Sequence, residues 1–214
     1  MAPRLRILTA VATAALLGIA PASAAACADE TTHAAQLSEY QLESSITCLI
    51  NERRTQSGRG GVRNNVRLRH AAVNHSQAMV NGGFFSHTSP NGSSFVDRIE
   101  QTGYMRGARL WLVGENLVWG TGELSTPANL VKAWMESPAH RANLLRGRFK
   151  EVGVGVQRGT PFHGSASDGI TVSSEYGFRV GSRGARVGKA RKARKARKAR
   201  KARKARKARK ARRG

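Results

Sequence analysis

The chain has 214 residues, a length that corresponds to one domain of ordinary size. It carries 37 Lys and Arg against 13 Asp and Glu, which gives a formal net charge of +24. Most of this charge lies in residues 189–213, where eight consecutive Lys-Ala-Arg repeats are followed by one further arginine. Residues 7–188 carry only about +5. The composition therefore excludes a domain that is basic throughout, and any binding to nucleic acid would depend on the tail.

Residues 1–26 have the pattern of a secretory signal peptide. A basic start precedes an apolar run at residues 7–20, and Pro21 is followed by small residues that suit a cleavage site. The apolar run is shorter than a segment that spans a bilayer, which argues against a membrane anchor. A lipoprotein acylated at Cys27 is disfavoured because the preceding residues are alanines. We expect an exported, extracellular or cell-surface protein with no transmembrane segment after cleavage.

The chain has two cysteines, Cys27 and Cys48. An even number of cysteines in an exported chain favours a disulfide over two free thiols. The bridge would tie an N-terminal segment, residues 27–39, to the first predicted helix. Closing a loop of this length stabilises the folded state by roughly 3 kcal/mol in the chain-entropy account.

Apolar residues at helical spacing, bounded by glycines or by Ser/Thr-Pro pairs, predict helices in the first two thirds of the chain. The predicted helices cover residues 39–56, 69–81, 94–102, 127–136 and 138–145. Between the third and the fourth, residues 114–120 form an apolar stretch bounded by glycines.

The pattern changes in the last third of the domain. Residues 151–157 alternate valine with glycine, which predicts a strand that another backbone or side chain approaches closely. Residues 169–178 predict a second strand from their β-branched and aromatic content. The Gly- and Ser-rich residues 159–169 would connect the two as a hairpin loop. Helices followed by strands are typical of the α+β class.

Residues 181–188 are a predicted linker to the tail, residues 189–214. Lys, Ala and Arg favour helix, but unbroken like charge opposes it, so we expect the tail to be disordered. One interpretation is that the tail binds polyanions by counterion release, with anionic cell-wall polymers, acidic lipid head groups and extracellular DNA as candidates. The alternative is a repeat expansion without function. The tail has no aromatic residue for base stacking, which argues against sequence-specific recognition of nucleic acid.

Four motifs occur in order along the chain: FFSHTSPNG, GENLVWG, AWMESPAHRANLL and FKEVGVGV. With these motifs, about residues 40–180 resemble the CAP superfamily of cysteine-rich secretory, antigen 5 and pathogenesis-related proteins, and in particular its short bacterial secreted branch. The resemblance implies a single domain folded as an α-β-α sandwich. It also implies a cleft in which two histidines and two acidic residues gather and can hold a divalent metal.

Matched motif by motif, the resemblance assigns His87, Glu115 and His140 to this cleft, and Glu136 is the candidate for the second acid. Two histidines and one carboxylate are a known ligand set for Zn²⁺, which would activate a bound water. Without metal, a histidine and a glutamate could act as an acid–base pair. The three matched residues lie 28 and 25 residues apart, so only the fold can bring them together.

Two neighbouring residues are expected to support the cleft. Asn116 would brace a loop with its amide, and Ser137 would cap the helix that Pro138 opens. This cap would fix the entry of the helix so that His140 points over the cleft.

Other residues of these types have structural interpretations. We expect His75 to have a structural role and Trp134 to lie in the core, whereas Trp111 and Trp119 are candidates for lining a cleft.

Three functional hypotheses remain at this point. The first is a secreted binding module for a small apolar or cell-envelope ligand, held near polyanions by the tail. The second is a metal-dependent hydrolase that acts on peptide or envelope substrates. The third is DNA binding through the tail. No feature of the sequence indicates an oligomeric state.

Overall fold

The computed structural model describes residues 27–162 and 168–181, together with residue 197. The predicted signal peptide lies outside the described residues. So do the middle of the predicted hairpin loop and, apart from residue 197, the chain after residue 181.

All five predicted helices are present. Their bounds are α1 Glu39–Gln56, α2 Val66–Gly82, α3 Phe95–Gln101, α4 Pro127–Glu136 and α5 Pro138–Leu144, with short 3-10 turns at Ala34–Gln36 and Gly122–Ser125. Helix α2 begins earlier than the apolar spacing predicts because Asn65 caps it. The Asn65 side chain accepts hydrogen bonds from the backbone N–H groups of Arg67 and Leu68.

Four strands form one sheet in the order β1-β3-β4-β2, with bounds β1 Arg63–Asn64, β2 Ala108–Gly120, β3 Glu151–Arg158 and β4 Ile170–Gly181. The pair β1–β3 is parallel, and the pairs β3–β4 and β4–β2 are antiparallel. The strands predicted at 151–157 and 169–178 are confirmed. The sequence analysis missed β1 and β2. In β2 a run of exposed residues is followed by five consecutive buried ones, so the strand lacks the period-two alternation that identifies strands.

The helices cover both faces of the sheet. On one face α1 and α4 pack against β3 and β4, with Leu42, Ile46 and Trp134 fully buried. On the other face a second core includes Leu68 of α2 and Ile99 of α3. The predicted α-β-α sandwich is therefore confirmed, as is the place of Trp134 in the core.

Two glycines of β3 allow α2 to lie directly on the sheet. A Cβ atom at Gly153 would overlap the backbone of Leu68 and Arg69, and one at Gly155 would overlap the backbone of Ala72 and Val73. The close approach predicted from the Val-Gly alternation is therefore confirmed, and the approaching group is a helix backbone.

A buried arginine joins the end of α1 to the segment between α5 and β3. The side chain of Arg54 is fully buried and donates hydrogen bonds to the carbonyl oxygens of Gly60, Leu144, Arg146 and Phe149. The four carbonyl acceptors take up four of the five N–H donors of the guanidinium group, and none of these acceptors is a carboxylate. Nothing in the sequence distinguishes this arginine from the exposed ones.

The predicted disulfide between Cys27 and Cys48 is confirmed. It links the N-terminal segment to the middle of α1. Within the described residues, no helix combines the length and the apolar character that crossing a bilayer requires.

Replacing Gly153 with alanine should destabilise the domain by at least about 2 kcal/mol, because the new methyl group meets helix backbone that cannot move aside cheaply. Urea unfolding followed by circular dichroism measures the change. Gly60→Ala is the matched control, since a Cβ there meets nothing within 4 Å. Equal unfolding free energies for the two variants would show that α2 does not depend on this contact.

Candidate functional site

The candidate site is built around a carboxylate in the sheet. Glu115 lies in β2 and is 3% exposed. His87 lies in the loop between α2 and α3, and His140 lies in the first turn of α5. The structure thus draws the three residues of the predicted cleft from a loop, a strand and a helix.

Glu115 uses both of its oxygens. Oε1 accepts a hydrogen bond from Nδ1 of His87 at 2.7 Å, and Oε2 accepts one from Nη2 of Arg98 at 2.6 Å. Because a carboxylate can only accept, Nδ1 of His87 carries a proton. The other ring nitrogen of His87, Nε2, has no partner among the described residues, and the side chain is 52% exposed. Glu115 therefore orients an imidazole that faces outward.

Arg98 also holds the loop that carries His87. Its guanidinium donates to the backbone oxygens of His87 and Ser93, each at 3.0 Å, and to the hydroxyl of Ser89 at 3.2 Å. The same arginine thus fixes the loop and neutralises Glu115. The sequence analysis did not single out Arg98, because on a short predicted helix it looks like any exposed basic residue.

His75 of α2 lies beneath this pair and is fully buried. Its Nε2 donates to the backbone oxygen of Ser86 at 2.9 Å and lies 3.9 Å from Oε2 of Glu115. Burial lowers the pKa of His75, although the charge of Glu115 opposes this effect. His75 is accordingly a neutral group that supports the loop, as its predicted structural role requires.

Amide side chains join β2 to the helix that carries His140. Asn116 donates from Nδ2 to the backbone oxygen of His140 at 2.9 Å. Asn143 donates from Nδ2 to the backbone oxygen of Glu115 at 2.9 Å and to Oδ1 of Asn116 at 3.2 Å. Burial lowers the pKa of His140, and so does the nearby charge of His87. The side chain of His87 and the helix that carries His140 are thus both joined to β2 by hydrogen bonds.

The predicted cap of α5 is partly corrected. Ser137 occupies the N-cap position and Pro138 the first helical position, but the Ser137 hydroxyl accepts no hydrogen bond from the helix. The amide network of Asn116 and Asn143 is what ties this helix to the sheet.

The sequence analysis missed a second carboxyl group, which lies directly opposite Glu115. Glu175 of β4 is the cross-strand partner of Glu115 and is fully buried. Neither of its oxygens has a partner at ordinary hydrogen-bond length among the described residues. Burial raises the pKa of Glu175 well above its usual range, and the negative charge of Glu115 raises it further. Both effects favour the protonated form of Glu175. The sequence did contain a signal for Glu175, because it is an acidic residue in a strand that otherwise consists largely of apolar and small residues.

The pKa of Glu115 is shifted in the opposite direction, below its usual range. Burial by itself would raise the pKa of Glu115, but the hydrogen bond from His87 and the charge of Arg98 lower it. The surroundings thus favour the ionised form of Glu115 and the protonated form of Glu175.

Comparison with known proteins agrees with this architecture. The family model of the cysteine-rich secretory protein family, CAP, matches residues 48–166, which is more than half of the chain. The chain belongs to the CAP family.

Two solved structures and one curated protein are similar to this CAP domain. An outer surface protein from Borrelia burgdorferi has a TM-score of 0.56 and 17% identity, over 67% of this chain and 97% of that one. An extracellular protein from Bacillus anthracis that contains an SCP domain has a TM-score of 0.49 and 22% identity, over 65% of this chain and 43% of that one. At 17% identity, the similarity to the Borrelia burgdorferi protein concerns the fold alone.

The curated protein is YkwD from Bacillus subtilis, which is uncharacterised. It is 32% identical over 136 residues, which are 64% of this chain and 49% of YkwD. The CAP chain described here thus spans about half the length of that relative.

The fourth predicted residue of the cleft lies apart from the others. Glu136, at the end of α4, has a side chain that is 68% exposed and lies 3.7 Å from the amine of Lys132. The structure records no contact between Glu136 and His87, Glu115 or His140. Its assignment to the cleft stays a prediction.

A separate group of possible metal ligands occurs near the N-terminus of the CAP domain. Among the described residues, ligand atoms of Cys27, Glu30 and Glu52 lie within 4.8 Å of one another. The sulfur of Cys27 is in the disulfide with Cys48, so it offers no thiolate to a metal. This group therefore lacks the thiolate that would make it a three-ligand site.

The Glu175→Gln variant should gain stability relative to the wild type as the pH rises. A carboxyl group whose pKa is raised in the folded state adds most to the free energy of unfolding at pH values below its unfolded-state pKa, near 4.5. This contribution is lost as the pH rises toward the folded-state pKa. Glutamine stays neutral at every pH, so the variant does not lose stability in this way. Urea unfolding at pH 5 and pH 7 should show that the variant gains about 1 kcal/mol or more on the wild type.

Glu100→Gln is the control for this comparison, because Glu100 is an exposed acid on the helix that carries Arg98. It should follow the wild type at both pH values. If Glu175→Gln also follows the wild type, Glu175 is ionised in the fold.

Proposed function

We propose that this CAP-domain protein is exported and binds a small or cell-envelope ligand in the cleft at His87, Glu115 and His140. In this proposal the basic tail, residues 189–214, holds the protein to polyanions such as anionic wall polymers. The observation that carries the cleft assignment is the position of Glu115, whose carboxylate is held between His87 and Arg98. A fixed, outward-facing imidazole with a free nitrogen is suited to hydrogen-bond a ligand.

Exposed aromatic residues support an apolar contribution to ligand binding. Trp111 and Trp119 stand four residues on either side of Glu115 in β2. Because alternate residues of a strand point to the same face, both indoles lie on the face of Glu115. They are 43% and 37% exposed, and Trp119 meets the ring of Phe162 edge-on at 5.7 Å between ring centroids. Each tryptophan lies about 13 Å along the strand from Glu115, so the two indoles could contact the apolar parts of a ligand that extends from the polar centre.

Cosedimentation with bacterial cell walls that retain their anionic polymers separates the two parts of this proposal. At low salt, deleting residues 189–214 should weaken binding at least about tenfold, because counterion release by the repeats is lost. At about 1 M salt the Debye length is about 3 Å, so binding through the tail is suppressed. The remaining binding should be lost in the double variant His87→Ala, His140→Ala.

The controls follow from the structure. All described strands and helices of the CAP domain end by Gly181, so the deletion removes none of them. His33→Ala alters a histidine that pairs with Glu123 and not with the cleft, so it should bind like the wild type. If the double variant binds equally well at high salt, the cleft is not the site, and if the deletion binds equally well at low salt, the tail is not the tether.

A specific observation favours a second candidate function, a metal-dependent hydrolase for peptide or envelope substrates. A histidine that ligates a metal through one nitrogen usually gives its other N–H to a carboxylate. His87 and Glu115 have this arrangement. The residues fit a site in which His87 and His140 would hold Zn²⁺, with Glu115 orienting His87 and not binding the metal itself. The metal, when bound, supplies a water of lowered pKa as nucleophile.

Calorimetric titration of the full chain with Zn²⁺ tests this candidate. Saturable one-to-one binding should be lost in His87→Ala and in His140→Ala. Glu115→Gln should weaken binding about 10- to 100-fold, as expected for a residue that orients a ligand. Binding that is absent, or unchanged in both histidine variants, removes the metal mechanism and leaves the binding function.

A further inference from the structure

A cavity of about 320 Å³ lies between α1 and α2, and β3 forms its floor. It contains none of the residues of the cleft. Strand β1 pairs only with Glu151 and Val152 of β3, so no described strand pairs with this edge of β3 beyond Val152. Gly153 and Val154, which follow on β3, line the cavity.

One face of α1 forms a wall of the cavity. Tyr40, Glu43, Ser44 and Thr47 line it, and their spacing of three, one and three residues places them on the same side of a helix. The first turn of α2 forms the opposite wall. The volume lies within the range of sites that hold small molecules.

Apolar surface is exposed at this cavity. Tyr40 is 77% exposed and Val66 is 63% exposed, and both line it. On the floor, Val152 and Val154 are buried. Two large apolar side chains exposed beside a valine floor offer contact area to the apolar part of a ligand.

A carboxylate with one unsatisfied oxygen lies among these apolar residues. Glu43 is 8% exposed, and its Oε2 accepts a hydrogen bond from Nε of Arg69 at 2.5 Å. Its Oε1 is buried, and no described residue donates a hydrogen bond to it. A buried acceptor without a donor is costly, and the terminal bond of a glutamate turns easily, so either oxygen can be presented to a donor in the cavity.

The local charge favours a cation as that donor. Burial raises the pKa of Glu43, the bond to Arg69 opposes this effect, and the charge of Glu39 adds to it. Glu43 is the acidic and Arg69 the basic residue that lines the cavity, and Glu39 lies one helical turn before Glu43 on α1. The formal charges of these three residues sum to −1, and an ammonium group placed beside Glu43 would neutralise this sum.

We propose that this cavity binds a small ligand with an apolar body and a protonated amine head group. The ammonium group donates to the carboxylate of Glu43. The apolar body lies against Tyr40, Val66 and the valines of β3. An amine is preferred over a carboxylate-bearing ligand of the same size, because the ionised Glu43 repels a carboxylate and the guanidinium of Arg69 already donates to Glu43.

The test uses three probes with the same phenyl body: 2-phenylethylamine, 2-phenylethanol and 3-phenylpropionate. Chemical-shift changes of the full chain at neutral pH report binding and its location. The amine should bind at least about tenfold more tightly than the carboxylate, with shifts at residues of the cavity, because one hydrogen bond to a charged group contributes a factor of this size. Glu43→Gln should weaken amine binding by a similar factor and remove the preference for the amine.

Glu52→Gln is the matched control, since Glu52 lies on the same helix and does not line the cavity. It should bind all three probes like the wild type. Ser44→Trp is a second, independent test, because Ser44 is an exposed residue of the cavity wall, where an indole would fill the space without disturbing the core. It should abolish binding of the amine.

Three results would overturn the proposal. They are the absence of shifts at the cavity at millimolar amine, equal affinities for the amine and the carboxylate, and amine binding that persists in Ser44→Trp. Because the cavity shares no residue with the cleft, these results leave the proposed function of the cleft unaffected.

Discussion

The structure depends on the contact between the backbone of α2 and the two glycines of β3. With no Cβ at Gly153 and Gly155, the helix lies against the strand itself. Ser76 then bridges the layers: its hydroxyl donates to the carbonyl of Gly155 and accepts from the backbone N–H of Ser173. This contact sets the depth at which α2 lies on the sheet, and so it places the buried His75 next to the carboxylate of Glu115.

The cleft in turn depends on an ionised carboxylate in the interior. An isolated buried charge is very costly, and Glu115 offsets that cost with Arg98 and with the Nδ1 proton of His87. The raised pKa of Glu175, across the strand pair, favours its uncharged form and so limits repulsion between the two carboxyl groups. These partners come from a helix, a loop and a strand. Because the charge requires all of them, the position of Glu115 organises the surrounding elements, and the orientation of the His87 ring follows from it.

Helix α2 separates two regions of different chemistry. Near its middle lies the cleft, with imidazoles and a guanidinium, and near its first turn lies the cavity, with an unsatisfied carboxylate oxygen among valines. The two proposed ligands differ accordingly: a hydrogen-bonding ligand at the histidines of the cleft and an amine in the cavity. The two sites can therefore be tested by substitutions that do not overlap.

The sequence by itself determined the features that depend on near neighbours. Helical spacing and Ser/Thr-Pro pairs predicted the five helices, and the Val-Gly alternation predicted the close contact at β3. Two cysteines in an exported chain predicted the disulfide, and the motifs assigned His87 and Glu115 to one cleft. Strand β2 was missed because its exposed and buried residues occur in blocks and do not alternate. Only the tertiary structure selected Arg98 and Glu175 as partners of Glu115. The register of β2 on β4 sets Glu115 against Glu175, 60 residues away, and no local pattern encodes that register.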